Sequence, residues 1–270
     1  MLNFKLENKI AVVTGGAGLL CSEISKALSE SGAKVAVLDL IEEKAKDLAE
    51  LLNKSGGQAI GLGVDVLKKE SIEKAAEEVI TKWGRVDILI NGAGGNKPQA
   101  TTGEKLSFFD LPQDAMQWVF NLNLMGTIMP SQIFSRYMAN QKSGSIVNIS
   151  SMAAFTPLTK TVAYCAAKAG ISNFTQWLAV HLSQEYSPKI RVNAIAPGFL
   201  LTQQNRFLLT NEDGSSTERG GNILRNTPMA RYGEPSELSG AVVYLCSDAA
   251  SFVTGIVLPI DGGFSAFSGV

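Results

Sequence analysis

The sequence holds one histidine, His181, and three cysteines, Cys21, Cys165 and Cys246, with no C-x-x-C spacing. One histidine cannot furnish a histidine-rich metal centre, and nothing marks a carboxylate site for Mg²⁺, so no metal is expected. The widely spaced cysteines sit in apolar surroundings and are expected to be buried free thiols in a reducing compartment. An excess of one charge is also missing. Lys and Arg total 24 against 25 Asp and Glu, a formal charge of -1. That balance gives no long-range attraction for nucleic acid or anionic membrane. The apolar runs are all interrupted by polar residues, Gly or Pro, so no bilayer-spanning segment is expected. MLNFKLENK at the start has no apolar core of signal-peptide length. The expectation is a cytoplasmic protein with a small-molecule partner.

What is present is a rhythm of apolar strands and amphipathic helices. IAVVTG at 10–15 reads as a strand ending in glycine, followed by a helix from about 19 to 31 and a second strand, KVAVLD, at 34–39. Residues 41–55 read as a helix closed by Gly56 and Gly57, AIGLGVDV at 59–66 as a strand, 70–82 as a helix and VDILING at 86–92 as a strand. A loop is expected over 95–112. PQDAMQWVFNLNLMGTIMPSQIFSRYMAN then reads as a long helix in which Pro130 argues for a bend or break. GSIVNISS at 144–151 is the next strand, 161–186 a long helix and KIRVNAIAPG a further strand. Residues 199–227 read as polar and irregular, SELSGAVVYLCSD as a helix and IVLPIDGG as the last strand. The alternation predicts an α/β fold, a Rossmann-type doubly wound parallel sheet with helices on both faces. No linker interrupts residues 1–270, so a single domain is expected.

Four features carry chemistry. TGGAG, with Thr14, Gly15 and Gly18, joins a strand end to a helix start, where backbone N–H groups and the helix terminus suit a pyrophosphate. Asp39 ends the second strand, where a carboxylate can accept from a ribose 2′-hydroxyl and repel a 2′-phosphate, favouring NAD over NADP; it can equally cap the helix that follows. Asp65 and Val66 follow the third strand and Asn91-Gly92-Ala93-Gly94 the fourth, at strand ends where ligands of open α/β sheets bind; each can also be an ordinary turn residue. The fourth feature is YCAAK. Tyr164 and Lys168 share one helix face, and an ammonium beside a phenol favours the phenolate, lowering its pKa.

With these marks the chain resembles the classical short-chain dehydrogenase/reductase family from about residue 7 to about residue 264. The likeness rests on TGGAG, Asp65-Val66, NGAG, Asn123 in NLMG, Ser151 in NISS, YCAAK, NAIAPG, RYGEP and IDGG. The family pattern T-G-x-x-x-G-x-G is departed from at its last two glycines, which are Leu19 and Cys21 here. Within the family the GAGGNKPQATT segment and the long 199–227 stretch resemble the sugar-acid branch of D-mannonate oxidoreductases or fructuronate reductases. The resemblance implies NAD as cofactor, held by Thr14, Gly15, Gly18, Leu19, Asp39, Asp65, Val66, Asn91, Ala93, Gly94, Tyr164, Lys168, Pro197, Gly198 and Thr202. It implies Tyr164 as general acid or base, Lys168 as its electrostatic partner and ribose ligand, Ser151 at the substrate oxygen, and Asn123 holding a water that links Lys168 to solvent.

Asn96, Lys97, Gln99, Gln203, Asn205 and Arg206 follow strand ends and suggest a polar substrate, with Lys97 or Arg206 meeting a carboxylate. Residues 199–227 are expected to form a substrate lid. Polyol or sugar dehydrogenases, 3-oxoacyl-thioester or steroid reductases and a non-catalytic nucleotide-binding protein stay open as alternatives. The family resemblance, with apolar residues on the two long helices, implies a homotetramer.

Overall fold

The computed structural model describes residues 4–202 and 206–269. In chain order the elements are β1 (Ile10–Thr14), α1 (Leu19–Glu30), β2 (Lys34–Asp39), α2 (Glu42–Lys54), β3 (Gln58–Gly63), α3 (Lys69–Trp83), β4 (Ile88–Asn91), α4 (Gln113–Phe120) and α5 (Gly126–Gln141). There follow β5 (Gly144–Ile149), α6 (Val162–Glu185), β6 (Ile190–Pro197), α7 (Arg206–Leu209), α8 (Glu218–Arg225), α9 (Ser239–Cys246) and β7 (Val257–Ile260). The strands form one sheet in the order β3-β2-β1-β4-β5-β6-β7, parallel throughout. The winding direction reverses between β1 and β4. That switch point opens a crevice beyond the strand C-termini, where such sheets bind ligands.

Alternating strand residues feed two apolar layers. Ala11 and Val13 of β1 face a core with Ile24 and Leu28 of α1 and Val242 and Leu245 of α9. Ile10 and Val12 face the opposite core, with Ile72 and Val79 of α3, Phe134 and Met138 of α5, and Leu178 and Leu182 of α6. Burial on both faces explains why the central strands are continuous apolar runs.

Three expectations are corrected. β3 stops at Gly63, and Val64-Asp65-Val66 leave the sheet as a turn. Pro130 does not break the long helix: α5 runs through it, held by the buried Phe134 and Met138, so tertiary packing overrides the local preference. The irregularity lies earlier, where the path widens into a π-helical turn over Asn121–Met125. The 199–227 stretch is not wholly irregular, since it contains α7 and α8. Thr217 caps α8, its hydroxyl accepting from the Gly220 N–H at 3.0 Å.

Candidate active site

The nucleotide half is built around the end of β1. Thr14 Oγ1 accepts from the Gly92 N–H at 3.1 Å, tying the β1 turn to the end of β4. Gly15 has φ +60°, and a Cβ there would stand 2.9 Å from both N and Cα of Ala93. Only glycine admits this close approach. Gly18 precedes α1 without a side-chain cap, so the helix presents uncapped amides to the crevice. Leu19 lies partly exposed at this end, while Cys21 is buried beneath it. Asp39 accepts from the Ala17 N–H at 3.2 Å and from the Ile41 N–H at 3.1 Å, which joins the glycine-rich turn to the end of β2. Its carboxylate therefore stands beside the turn and closes a tight turn into α2, which has no side-chain cap.

Asp65 fulfils a turn role: its Oδ1 accepts from the Leu67 N–H at 3.0 Å and its Oδ2 lies 3.6 Å from the Lys68 ammonium. Val66 is buried against Gly126, where a Cβ would be 3.1 Å from Val66 Cγ2.

The residues of the candidate catalytic set gather after β5 and at the start of α6. Ser151 follows β5, Tyr164 occupies the first turn of α6 and Lys168 the next. Together with Gly92, Gly94, Pro197 and Gly198 they line a cleft of about 200 Å³. Ser151 Oγ accepts from the Ala153 N–H at 3.1 Å, and Ser151 and Tyr164 line the same cleft. Lys168 is buried, and its ammonium donates to the Ile149 carbonyl at 2.8 Å. Gly198 is pressed against Asp261, where a Cβ would lie 2.5 Å from Asp261 Cα. Asp261 in turn accepts from the N–H groups of Gly263 and Ser265, which makes IDGG the structural turn its sequence suggests.

Burial lowers the Lys168 pKa to about 8. For Tyr164 the expected direction is corrected. Burial raises its pKa, the hydrogen bond with Ser151 opposes that rise, and Cys165 adds to it. Desolvation of the phenolate outweighs its neighbours because the Lys168 ammonium is directed at a backbone carbonyl.

Asn123 sits fully buried in the π turn. Its Nδ2 donates to the carbonyls of Gly95 at 2.7 Å and Val119 at 2.8 Å, and its Oδ1 accepts from the Gly95 N–H at 3.2 Å. The amide thus clamps the strand-end loop, with both donor hydrogens committed. A Cβ on Gly94 would stand 2.8 Å from Asn123 Oδ1 and 3.5 Å from Lys168 Nζ, so residue 94 lies between them. The Asn91 amide is buried in the sheet layer and donates to Ser131 Oγ at 2.9 Å and Asn148 Oδ1 at 2.8 Å, while its main chain ends β4. Asn148 continues to Thr175 at 2.9 Å, in keeping with a structural reading of that residue.

Of the substrate candidates, Asn96 is exposed and donates to Thr101 at 3.0 Å. Lys97 places its ammonium 4.9 Å from the centroid of the Trp118 ring. Arg206 opens α7 and is exposed; its N–H bonds the Thr202 carbonyl at 3.0 Å. Gln203 and Asn205 lie outside the described residues. His181 stacks on Trp177 with ring centroids 4.9 Å apart, a packing role far along α6. Sequence reasoning missed Gly95, the partner of Asn123, and Ser150, whose hydroxyl donates to the Lys168 carbonyl at 3.1 Å. Their adjacency to Gly94 and Ser151 was the only signal.

An uncapped helix start, a glycine turn pressed on β4, and a Ser–Tyr–Lys set in one cleft define an oxidoreductase of the nicotinamide-dependent type. A family model described as Enoyl-(Acyl carrier protein) reductase matches residues 19–265. The chain belongs to the short-chain dehydrogenase/reductase family. It is 49% identical to an uncharacterised oxidoreductase of Haemophilus influenzae, covering 99% of this chain and 97% of that protein. It is 38% identical to an NAD-dependent glycerol dehydrogenase of Listeria innocua, covering 97% and 96%. A crystal structure from Haemophilus influenza with bound NAD, provisionally named a D-mannonate oxidoreductase, superposes with a TM-score of 0.93 at 48% identity, covering 98% of each chain. Among the described residues no helix is long and apolar enough to cross a membrane, and no cluster of metal-ligating side chains occurs.

Proposed function

We propose that this protein is an NAD(H)-dependent oxidoreductase that interconverts a secondary alcohol and a ketone on a polar substrate, a sugar acid of the D-mannonate/D-fructuronate kind. The observation that carries the reading is the convergence of Ser151, Tyr164 and Lys168 on a cleft also lined by Leu20 of α1 and by Gly92, against whose strand end the glycine turn is pressed. The residues fit the dinucleotide. Gly15 admits close backbone approach, Gly18 leaves the α1 amides uncapped, and Asp39 beside the turn suits a ribose diol and disfavours a 2′-phosphate.

When bound, NAD supplies the hydride acceptor and NADH the donor. In reduction Tyr164 gives its phenolic proton to the carbonyl oxygen; in oxidation its phenolate, formed once the phenolic proton has passed to solvent, takes the hydroxyl proton. Ser151 donates to the substrate oxygen and orients it. The Lys168 ammonium stabilises the phenolate as it forms, an effect realised only when the tyrosine gives up its proton. Asn123 fixes the Gly95 loop and the π turn, and so shapes the solvent path toward Lys168. Lys97, beside Trp118, offers a cation for a substrate carboxylate, and Arg206 a second.

The sugar-acid assignment is supported by the H. influenza structure's name and by the basic residues after β4 and β6. A polyol substrate is the second reading, favoured by the glycerol dehydrogenase relative. Absorbance at 340 nm with NAD⁺ or NADH over a panel of sugar acids and polyols decides between them. Turnover confined to uncharged polyols would reject the sugar acid, and no turnover with NADH bound would favour a non-catalytic role.

We also propose a homotetramer. Trp118 and Met125 near α4, and Trp177 and Val180 on α6, are apolar side chains exposed on helices. Light scattering at low micromolar concentration tests this, and a monomer mass would refute it. Three buried thiols suit a cytoplasmic location.

A further inference from the structure

We propose that Cys21 is a positioning residue of the cofactor cleft: from helix α1, its sulfur supplies the atom that a side chain at residue 92 would otherwise place against the end of β4. A Cβ built on Gly92 would overlap Cys21 Sγ, and would lie 2.9 Å from the Thr14 carbonyl and 3.6 Å from Cys21 Cβ. The sulfur therefore stands 2.0 Å from where a methyl carbon at residue 92 would sit and fills much of the same space. Cys21 is 3% exposed, so the space is filled rather than open.

The position matters because residue 92 is the hinge of the cleft floor. Its N–H meets Thr14 Oγ1 at 3.1 Å, the Ala93 N–H meets the same oxygen at 3.4 Å, and Ala93 is the backbone against which Gly15 is pressed. Gly92 and Gly94 both line the cleft. Removing the sulfur leaves a gap under this junction; adding a methyl at 92 while keeping the sulfur forces β4 and the glycine turn apart. Either change moves the Gly15–Ala93 contact. Burial raises the Cys21 pKa to about 12, so the thiol acts here as neutral volume and not as a nucleophile. The departure from glycine at residue 21 is thus matched by the absence of a side chain at residue 92.

This rests on the reading of the cleft as a nicotinamide-nucleotide site. The test is a double-mutant cycle on the full chain, read by NADH fluorescence titration and by thermal unfolding. Cys21→Ala should weaken NADH binding by roughly threefold or more, and Gly92→Ala by roughly tenfold or more. The double variant C21A/G92A should bind NADH more tightly than Gly92→Ala, because the overlap with the sulfur is gone, and less tightly than the unmodified protein, because the methyl still meets the Thr14 carbonyl at 2.9 Å. If Gly92→Ala does not fold, Cys21→Ala and the double variant still decide. Unchanged NADH affinity in Cys21→Ala overturns the proposal, even with a lowered Tm, because the role is then only structural. A double variant weaker than either single change overturns it as well. If the unmodified protein binds no NADH, the nucleotide reading itself fails, and this role falls with it.

Discussion

The Lys168 ammonium lies 5.5 Å from the centroid of the Tyr164 ring, yet it donates to the Ile149 carbonyl at 2.8 Å. A backbone oxygen at the end of β5 thus sets where this charge stands. The tyrosine, meanwhile, is held protonated by its own burial. The pair is arranged so that charge separation costs least when a proton is drawn away from the phenol.

Replacing Tyr164 with Phe should reduce turnover by about a hundredfold or more, the scale of a lost acid–base group. The ring keeps its packing, so NADH affinity should stay within about threefold, since one lost hydrogen bond contributes little net affinity. Steady-state rates beside an NADH titration check both. Near-normal turnover would place the base elsewhere.

Lys168 should leave a pH signature in stability. Its folded pKa is about 8 against an ordinary 10.5, so between those values the unfolded chain binds more protons. Folding is then favoured as pH rises through that window. Lys168→Met lacks this contribution. Whatever the offset at pH 7, the unmodified protein should gain on the variant as pH goes from about 8 to 10.5. Denaturant midpoints across the range measure it, and a pH-independent difference would contradict the assignment.

Asp39→Ala should narrow the preference for NAD(H) over NADP(H) by about tenfold, because one carboxylate facing a 2′-phosphate is the source of discrimination. The ratio of kcat/KM values for the two cofactors is the readout. Equal efficiency with both in the unmodified protein would defeat the idea.

Gly15→Ala should abolish detectable NADH binding. The new methyl meets Ala93 backbone at 2.9 Å, and φ +60° is strained for alanine. Binding close to normal would mean that the turn has room that its geometry denies.

The lid proposed over residues 199–227 should slow cleavage by trypsin when it closes. Arg219 and Arg225 on α8 are its reporter sites. Protection on adding NADH with a turned-over sugar acid, and not with NADH alone, is the expected pattern. Equal cleavage in all conditions would argue for a fixed segment.

The sheet was legible because burial on both faces writes itself as runs such as IAVVT and KVAVLD. Tyr164, Lys168, Ser151 and Asp39 were legible because their spacing ties them to helix faces and strand ends. Other features depend on contacts between distant segments. The grip of Asn123 on Gly95 spans loop and helix, and the raised pKa of Tyr164 is a property of enclosure. α8 escaped notice because ERGGNILR pairs two glycines with a short apolar stripe, a weak helix signal that is stabilised by the Thr217 cap. The Asn91 amide was not readable from the sequence, because its partners lie on the neighbouring strand and on α5.

Asn91 and Asn148 are also register partners, side by side on β4 and β5. Valine and isoleucine tolerate many alignments of parallel strands, since one apolar pair is much like another. Two amides that bond each other tolerate one. A slip by two residues would keep the facing of every side chain but strand both amides in a dry layer, a penalty of about 1–3 kcal/mol for each unmet group. The asparagine pair therefore serves as an alignment key during folding, fixing the two strands whose ends must bring Gly94 and Ser151 to the same height.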